Sequence, residues 1–342
     1  MNRLINRIYY RIKPLIPRET QIQWRRLAIA MQKQKFREVW PILESAKQAP
    51  SFWKGWPEGK KFAVILTHDV EHQGGHDKCR QLLELHRKHG FVSLFNFVPE
   101  RYTVDPQMRK FITDNGFEVG VHGLNHDGRL FSSHHLFRAR SKKINRYLRE
   151  WGAVGFRAPA MHHNLKWIHE LDIEYDLSTF DTDPFEPQSD GVGTIFPFPV
   201  SGKTPQETYV EMPYTLSQDF TTFILMQEKS TDLWRKKARW IIENGGMILL
   251  NTHPDYMFFG DGEQGSEEFD VSLYEDFLLF LKENYAGQYW NPLPREAARY
   301  VRGMAESPPD ASPGINTMLL PFIVNLREIL SFIPQEILIG AA

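Results

Sequence analysis

Cysteine is nearly absent from this sequence: Cys79 stands alone among 342 residues. That excludes an internal disulfide framework and any cysteine-rich metal site, and it fits a reducing compartment. No run reaches the ~18–20 consecutive apolar residues that a membrane span requires. An uninterrupted apolar stretch behind the first basic residues is also missing, so no secretory signal is expected and a cytoplasmic location is. Charge of one sign is lacking as well. The 41 Lys and Arg against 42 Asp and Glu leave a formal net charge of −1, which gives no global argument for a nucleic-acid partner. Internal repeats and low-complexity tracts do not occur.

What is there is an ordinary globular balance, 42% hydrophobic and 24% charged, in a chain long enough to bury a large core. The charge is unevenly spread. Residues 1–38 carry ten Lys and Arg against Glu19 and Glu38, with Leu4, Ile5, Ile8, Tyr9 and Ile12 at helical spacing. Two readings compete for this stretch: an arm packed on its own domain, or a peripheral contact with anionic lipid headgroups through residues 1–38. At the other end, the apolar stretch 318–339 is interrupted by Pro321, Asn325, Arg327, Glu328 and Pro334. It reads as a docking or interfacial segment behind the linker SPPDASPG.

Between these ends, short apolar runs alternate with helical patterns. Strands are expected at 62–67, 92–98, 117–121, 153–156 and 247–251, with a short one around Tyr289. Helices are expected at 77–89, 106–115, 131–151, 165–171, 231–243, 273–285 and 295–302, several of them ended by glycine. Strand–helix alternation with short connections predicts an α/β fold, a distorted (β/α) barrel of about seven strands. The implied organisation is a basic arm over 1–55, the barrel over 56–306, and a linker with an apolar tail over 307–342.

Barrels carry function at the C-terminal ends of their strands, and polar residues fall there four times. THDVE supplies Asp69 and Glu71, HGLNH supplies His122 and His126, GFRAPA supplies Arg157, and NTHPD supplies His253 and Asp255. His122 and His126 have the i, i+4 spacing that sets two imidazoles on one metal. Asp69 and Glu71, two apart in a strand, point to one side. Two carboxylates and two imidazoles make a carboxylate–His₂ metal site with one carboxylate left over as a base.

With these motifs in this order, roughly residues 60–300 resemble the NodB-type polysaccharide deacetylases (carbohydrate esterase family four). The resemblance implies a metal-dependent hydrolase that removes an N-acetyl or other N-acyl group from a sugar, in cell-envelope or exopolysaccharide assembly. The substrate is an oligosaccharide, in one reading lipid-linked. It implies Asp69 as general base, Arg157 as its partner and His253 as general acid. Where the family usually has a second adjacent aspartate this chain has Val70. The Asp-x-Glu variant therefore makes Glu71 the ligand, with His122 and His126. Asp183 is the preferred support for His253, with Asp181 and Asp176 as alternatives. Zn²⁺ is the expected ion, with Co²⁺ and Ni²⁺ as alternatives. Asp127 is a candidate hydrogen-bond partner of a ligand histidine. His162 and His163 are candidates for lining a groove, and Trp151, Phe156, Trp167, Phe185 and Trp290 for stacking on sugar faces. Two other functions stay open: a hydrolase of a non-sugar amide or formyl group, and a silent barrel that holds a glycan.

Overall fold

In a computed structural model of the chain, which describes residues 17–204, 207–260 and 262–305, the first expected strand is β1, Phe62–Val70, buried at all nine positions. A strand buried on both faces reads as a continuous apolar run, as parallel sheets require. The next strands are β2 (Leu94–Phe97), β3 (Glu118–His122), β4 (Gly155–Arg157), β5 (Tyr175–Asp176), β6 (Phe198–Val200), β7 (Tyr209–Glu211) and β8 (Met247–Thr252). Beyond them lie β9 (Met257–Phe258), β10 (Phe269–Asp270) and β11 (Tyr289–Trp290). Helices α1 (Arg18–Lys33), α2 (Gln73–His89), α3 (Pro106–Asp114), α4 (His134–Trp151), α5 (Leu165–Ile168), α6 (Asp232–Glu243), α7 (Val271–Tyr285) and α8 (Pro294–Ala305) intervene.

The curled sheet runs β8-β1-β2-β3-β4-β5-β7, parallel throughout, with β6 antiparallel at its edge and β11 beside the start of β1. These seven parallel strands are the expected distorted barrel. Its distortion lies at the seam. Past β7 the chain itself lies along β8, where Thr215 donates its N–H to Leu249 O at 3.0 Å and its Oγ1 to Met247 O at 2.8 Å. Thr215, with Leu216 donating its N–H to the same Leu249 O at 3.3 Å, does the joining there that a ladder does elsewhere.

Along β1 the side chains alternate. Phe62, Val64, Leu66 and Val70 pack outward among the covering helices, while Ala63 and Ile65 enter an interior cluster with Leu94, Tyr175, Met247 and Leu249. Thr67 and Asp69 continue that inner row toward the C-terminal rim, so the same period that builds the core delivers the polar side chains. Local signals set the helix ends. Asp105 caps α3 through Gln107 N, Ser133 caps α4 through Leu136 N, and Gly90 ends α2 in the left-handed conformation.

Residues 17–55 lie on the barrel. Ile22 and Ile29 of α1 join the outer core, and Trp40 packs edge-on against Phe185 at 5.1 Å. The helical spacing expected within residues 1–16, the linker and the apolar tail fall outside the described residues. Among the described residues no helix is long and apolar enough to cross a membrane.

A buried ion pair ties the loop after β5 to α6: Lys237 Nζ lies 2.8 Å from Asp181 Oδ1 and 2.7 Å from Oδ2, with neither side chain more than 3% exposed. Burial pushes the Asp181 carboxyl up to about 6 despite the ammonium beside it. Lys237→Met leaves that carboxylate unpaired and is expected to cost about 3–5 kcal/mol. In chemical denaturation the double variant Lys237→Met/Asp181→Leu should recover most of the loss.

Candidate active site

Strand register brings the site together. Asp69 pairs with Asn96, Thr67 with Asn251, and His122 with Arg157. Each pair is a contact between neighbouring strands that no single stretch of sequence displays.

Asp69 is 2% exposed. Its Oδ1 accepts from Asn96 Nδ2 at 3.0 Å and from an Arg157 guanidinium nitrogen at 3.1 Å, and its Oδ2 accepts from Asn251 Nδ2 at 2.9 Å. Burial raises a carboxyl pKa. Here the charge of Arg157, then His122 and His253, and the Asn96 hydrogen bond outweigh it and hold Asp69 far below the usual range. Arg157, fully buried, is itself fixed by Leu177 O at 2.9 Å, Thr67 Oγ1 at 2.9 Å and the Asn251 side-chain oxygen. Gly120, paired with Asn96, makes this packing feasible. A Cβ there would meet Asn96 Oδ1 at 2.2 Å.

Glu71, His122 and His126 each offer one ligand atom, all within 4.8 Å of one another. His126 Nε2 lies 2.8 Å from Glu71 Oε1, yet it is not aligned to donate to it and is a buried atom without a hydrogen-bond partner. Two lone pairs brought this close and aimed past each other suit a cation between them. His122 turns Nδ1 to the Arg157 carbonyl at 3.1 Å. A carbonyl only accepts, so Nδ1 carries the proton and Nε2 keeps its lone pair for the site. Burial lowers its pKa to about 4, which keeps the ring neutral as a ligand must be. Glu71 is held well below the ordinary value. Burial opposes this, but the charges of the neighbouring imidazoles, His126 first and then His253 and His122, prevail. The donor set therefore fits a divalent ion of the Zn²⁺ class. His126 sits at φ +54°, a left-handed backbone that a non-glycine residue adopts at some cost.

The loop carrying Glu71 is pinned from NTHPD. Asp255 Oδ2 accepts from Glu71 N at 2.8 Å and Oδ1 from His72 N at 2.9 Å. Gly75 admits that carboxylate, since a Cβ there would lie 2.2 Å from Oδ2. Tyr256 donates its hydroxyl to Glu71 Oε2 at 3.2 Å.

His253 faces the same space, with Nε2 3.9 Å from Glu71 Oε1. The carboxylate behind it is Asp219, which corrects the expectation for Asp183. Asp219 Oδ1 lies 2.7 Å from His253 Nδ1, and Oδ2 accepts from the His253 backbone N–H at 2.7 Å. Asp183 instead accepts from the Tyr214 hydroxyl at 2.9 Å and from Phe185 N at 3.0 Å. Burial alone would lower the His253 pKa. The charge and hydrogen bond of Asp219, with Glu71 and Asp69, raise it to about 10, so the ring is cationic at neutral pH. Asp219 opens a π-helical turn, Phe220–Leu225. A sequence signal for it exists: it is the single charged residue in the stretch 212–227. Gln218 closes the ring of polar groups, its Oε1 accepting from Asn251 Nδ2 at 3.1 Å.

Other candidates lie elsewhere. Asp127 is taken by Arg140 at 2.6 and 2.7 Å, so it is no support for a ligand histidine. His163 Nδ1 lies 2.9 Å from Met161 O, which it serves as a donor, and the His162 pKa is lowered by burial. Phe156 is fully buried in the core, Trp151 packs on Tyr147 and Trp290 on Tyr300, while Phe185 packs under Phe36 and Trp40. Trp167 stacks with His134 and Phe131.

A curled parallel sheet with these groups on its C-terminal rim defines the NodB-type deacetylase fold. A protein from Mycobacterium smegmatis assigned as a polysaccharide deacetylase shares it, with a TM-score of 0.57 and 19% identity over 78% of this chain and 98% of that one. So does Puue allantoinase, with a TM-score of 0.58 and 14% identity over 77% and 96%. A Pseudomonas aeruginosa protein assigned as a polysaccharide deacetylase gives 0.56 and 14% over 75% and 95%. No family model and no curated protein matches the sequence. At such identities the likeness is one of fold, and the chemistry has to be argued from the side chains.

Two outcomes are expected. Metal analysis of purified protein should give about one divalent ion per chain, lost in Glu71→Ala and His122→Ala and retained in Asp219→Asn. In the metal-free protein, Asp219→Asn should drop the His253 pKa from about 10 toward the ordinary value of about 6.5. At pH 8 the wild-type ring is then cationic and the variant ring neutral, which imidazole NMR titration reads directly.

Proposed function

We propose that the chain is a metal-dependent hydrolase that cleaves an N-acetyl or related N-acyl group from a sugar, with glycans of the cell envelope or exopolysaccharides as the substrate class. The carrying observation is the juxtaposition of an ionised buried Asp69, a three-ligand cluster and a cationic His253 around one space. Glu71, His122 and His126 would hold a divalent ion, which when bound would supply Lewis acidity to the acyl carbonyl and to water.

The chain's own residues do the rest. Asp69 accepts the proton of the attacking water, and its three hydrogen bonds fix it so that no reorganisation accompanies the transfer. Arg157 keeps Asp69 ionised beforehand and remains opposite it afterwards. His253 gives its Nε2 proton to the departing nitrogen, without which the tetrahedral species collapses back to amide. Asp219 takes no proton. It orients the ring through Nδ1 and holds it cationic until the amine leaves. The separation of roles arises from environment: the same burial that keeps His122 neutral is overridden at His253 by a carboxylate.

Acetate release from a panel of N-acetylglucosamine oligomers, with allantoin alongside, tests the reading. Asp69→Asn and His253→Ala should each lower kcat by roughly 10²–10⁴-fold while the ion stays bound. Turnover of allantoin with none of the sugars would move the function to a non-sugar amide. A metal-loaded protein inert on both, and still able to bind oligomers, would make it a glycan-binding barrel.

A further inference from the structure

Helix α1 is amphipathic in the opposite sense to a usual surface helix. Its cations turn toward the protein: Arg26 Nε donates to Ile224 O at 2.8 Å, and the Arg25 guanidinium lies 5.2 Å over the Phe220 ring. Arg18 pairs with Glu267 at 2.8 Å and Lys33 with Glu228 at 2.8 Å. Its outward side carries Trp24, Leu27 and Met31, spaced i, i+3, i+7, at 47%, 58% and 46% exposure. These are the large hydrophobic side chains that stand exposed among the described residues. An apolar stripe concentrated on one helix is a contact surface. Beside it a shallow groove is lined by Leu27, Ala30, Leu225 and Met226, with Arg26 and Lys33 at its edges.

We propose that this face of α1 docks on a phospholipid bilayer bearing anionic headgroups. Three features select that partner. Trp24, Leu27 and Met31 are uncharged, and the four cations of the helix are engaged with the barrel, Arg18 and Lys33 at its two ends keeping side chains 44% and 47% exposed. The stripe carries a tryptophan, the residue enriched at membrane–water interfaces. The sixteen residues leading into it hold Arg3, Arg7, Arg11 and Lys13 with no acidic residue, and interleave them with Leu4, Ile5, Ile8, Tyr9 and Ile12. That composition attracts an anionic surface at about 1 kcal/mol per cation. It is the inward side of α1, opposite the stripe, that reaches toward the site. Arg18 and Arg25 cover Phe220, Phe220 packs on Tyr256 at 4.7 Å, and Tyr256 bonds Glu71.

The proposal stands apart from the hydrolase reading, because its readout is binding and requires no turnover. Full-length protein is floated with vesicles of phosphatidylcholine alone and of equimolar phosphatidylcholine and phosphatidylglycerol. Wild type should float with the anionic vesicles and much less with the neutral ones. Trp24→Gln and Leu27→Gln, both at solvent-facing positions and each compared with wild type by circular dichroism for intact folding, should each weaken partition roughly tenfold. Absence of flotation overturns the proposal, as does equal binding to both compositions. Flotation unchanged in the two variants overturns it too, by assigning the contact to another segment. A dimer by light scattering, lost in the same variants without vesicle binding, makes the stripe a contact between two copies instead.

Discussion

A carboxylate buried at the rim of a barrel and still ionised is the constraint on which this structure rests. Asp69 is only 2% exposed, so most of its charge is met from β2, β4 and β8 at once, by Asn96, Arg157 and Asn251. Each of those side chains in turn needs its own strand in register. Arg157 cannot be buried without Asp69, nor Asp69 without Arg157, since either alone would be an unpaired charge in a low dielectric. The packing of the sheet and the electrostatics of the site are therefore one problem with one solution.

The rim residues divide into two groups by what supports them. The ligand cluster is carried by β1 and β3 and the turns that leave them, braced by Asp255, whose carboxylate fills the space Gly75 vacates. The acid pair is carried by β8 and by a π-helical turn that starts at Asp219. Both groups place neutral or charged imidazoles according to the partner of Nδ1. A carbonyl behind His122 leaves a neutral donor, and a carboxylate behind His253 makes a cation. Two histidines of similar burial thus end with different protonation because of the atom at their backs.

The fold and the polar rim were legible in the sequence for a common reason: strands buried on both faces print themselves as apolar runs, and the residues just past each run form the rim. Asp69, Glu71, His122, His126, Arg157 and His253 all stand within two residues of a strand end or in the turn just beyond it, and the structure brings the six together. Asp219 was missed although it is the single charged residue in 212–227, because it enters from the irregular segment beyond β7 where no periodicity exists to place it. Asp183 was chosen because FDTDPFEP stands where the resemblance sets the aspartate that supports the acid histidine, while its side chain is turned to Tyr214. Asn96 and Asn251 were invisible as partners of Asp69, since their meaning arises from inter-strand register. The π-helical turn also lacks a sequence pattern of its own.

The seam beside β8 has a consequence for how the molecule comes apart. The ligand cluster is woven into ladders on both sides of β1, β2 and β3, whereas the segment carrying Asp219 is attached to β8 through Thr215 and to Ser217 O through the Trp234 indole, with α1 laid over its outer side. Elements held by few backbone ladders open first in local fluctuations. Breathing at this seam would disconnect the proton donor's carboxylate while the cation-binding cluster stayed folded. An opening of that kind would leave the ligand residues in place while parting His253 from the carboxylate that orients it.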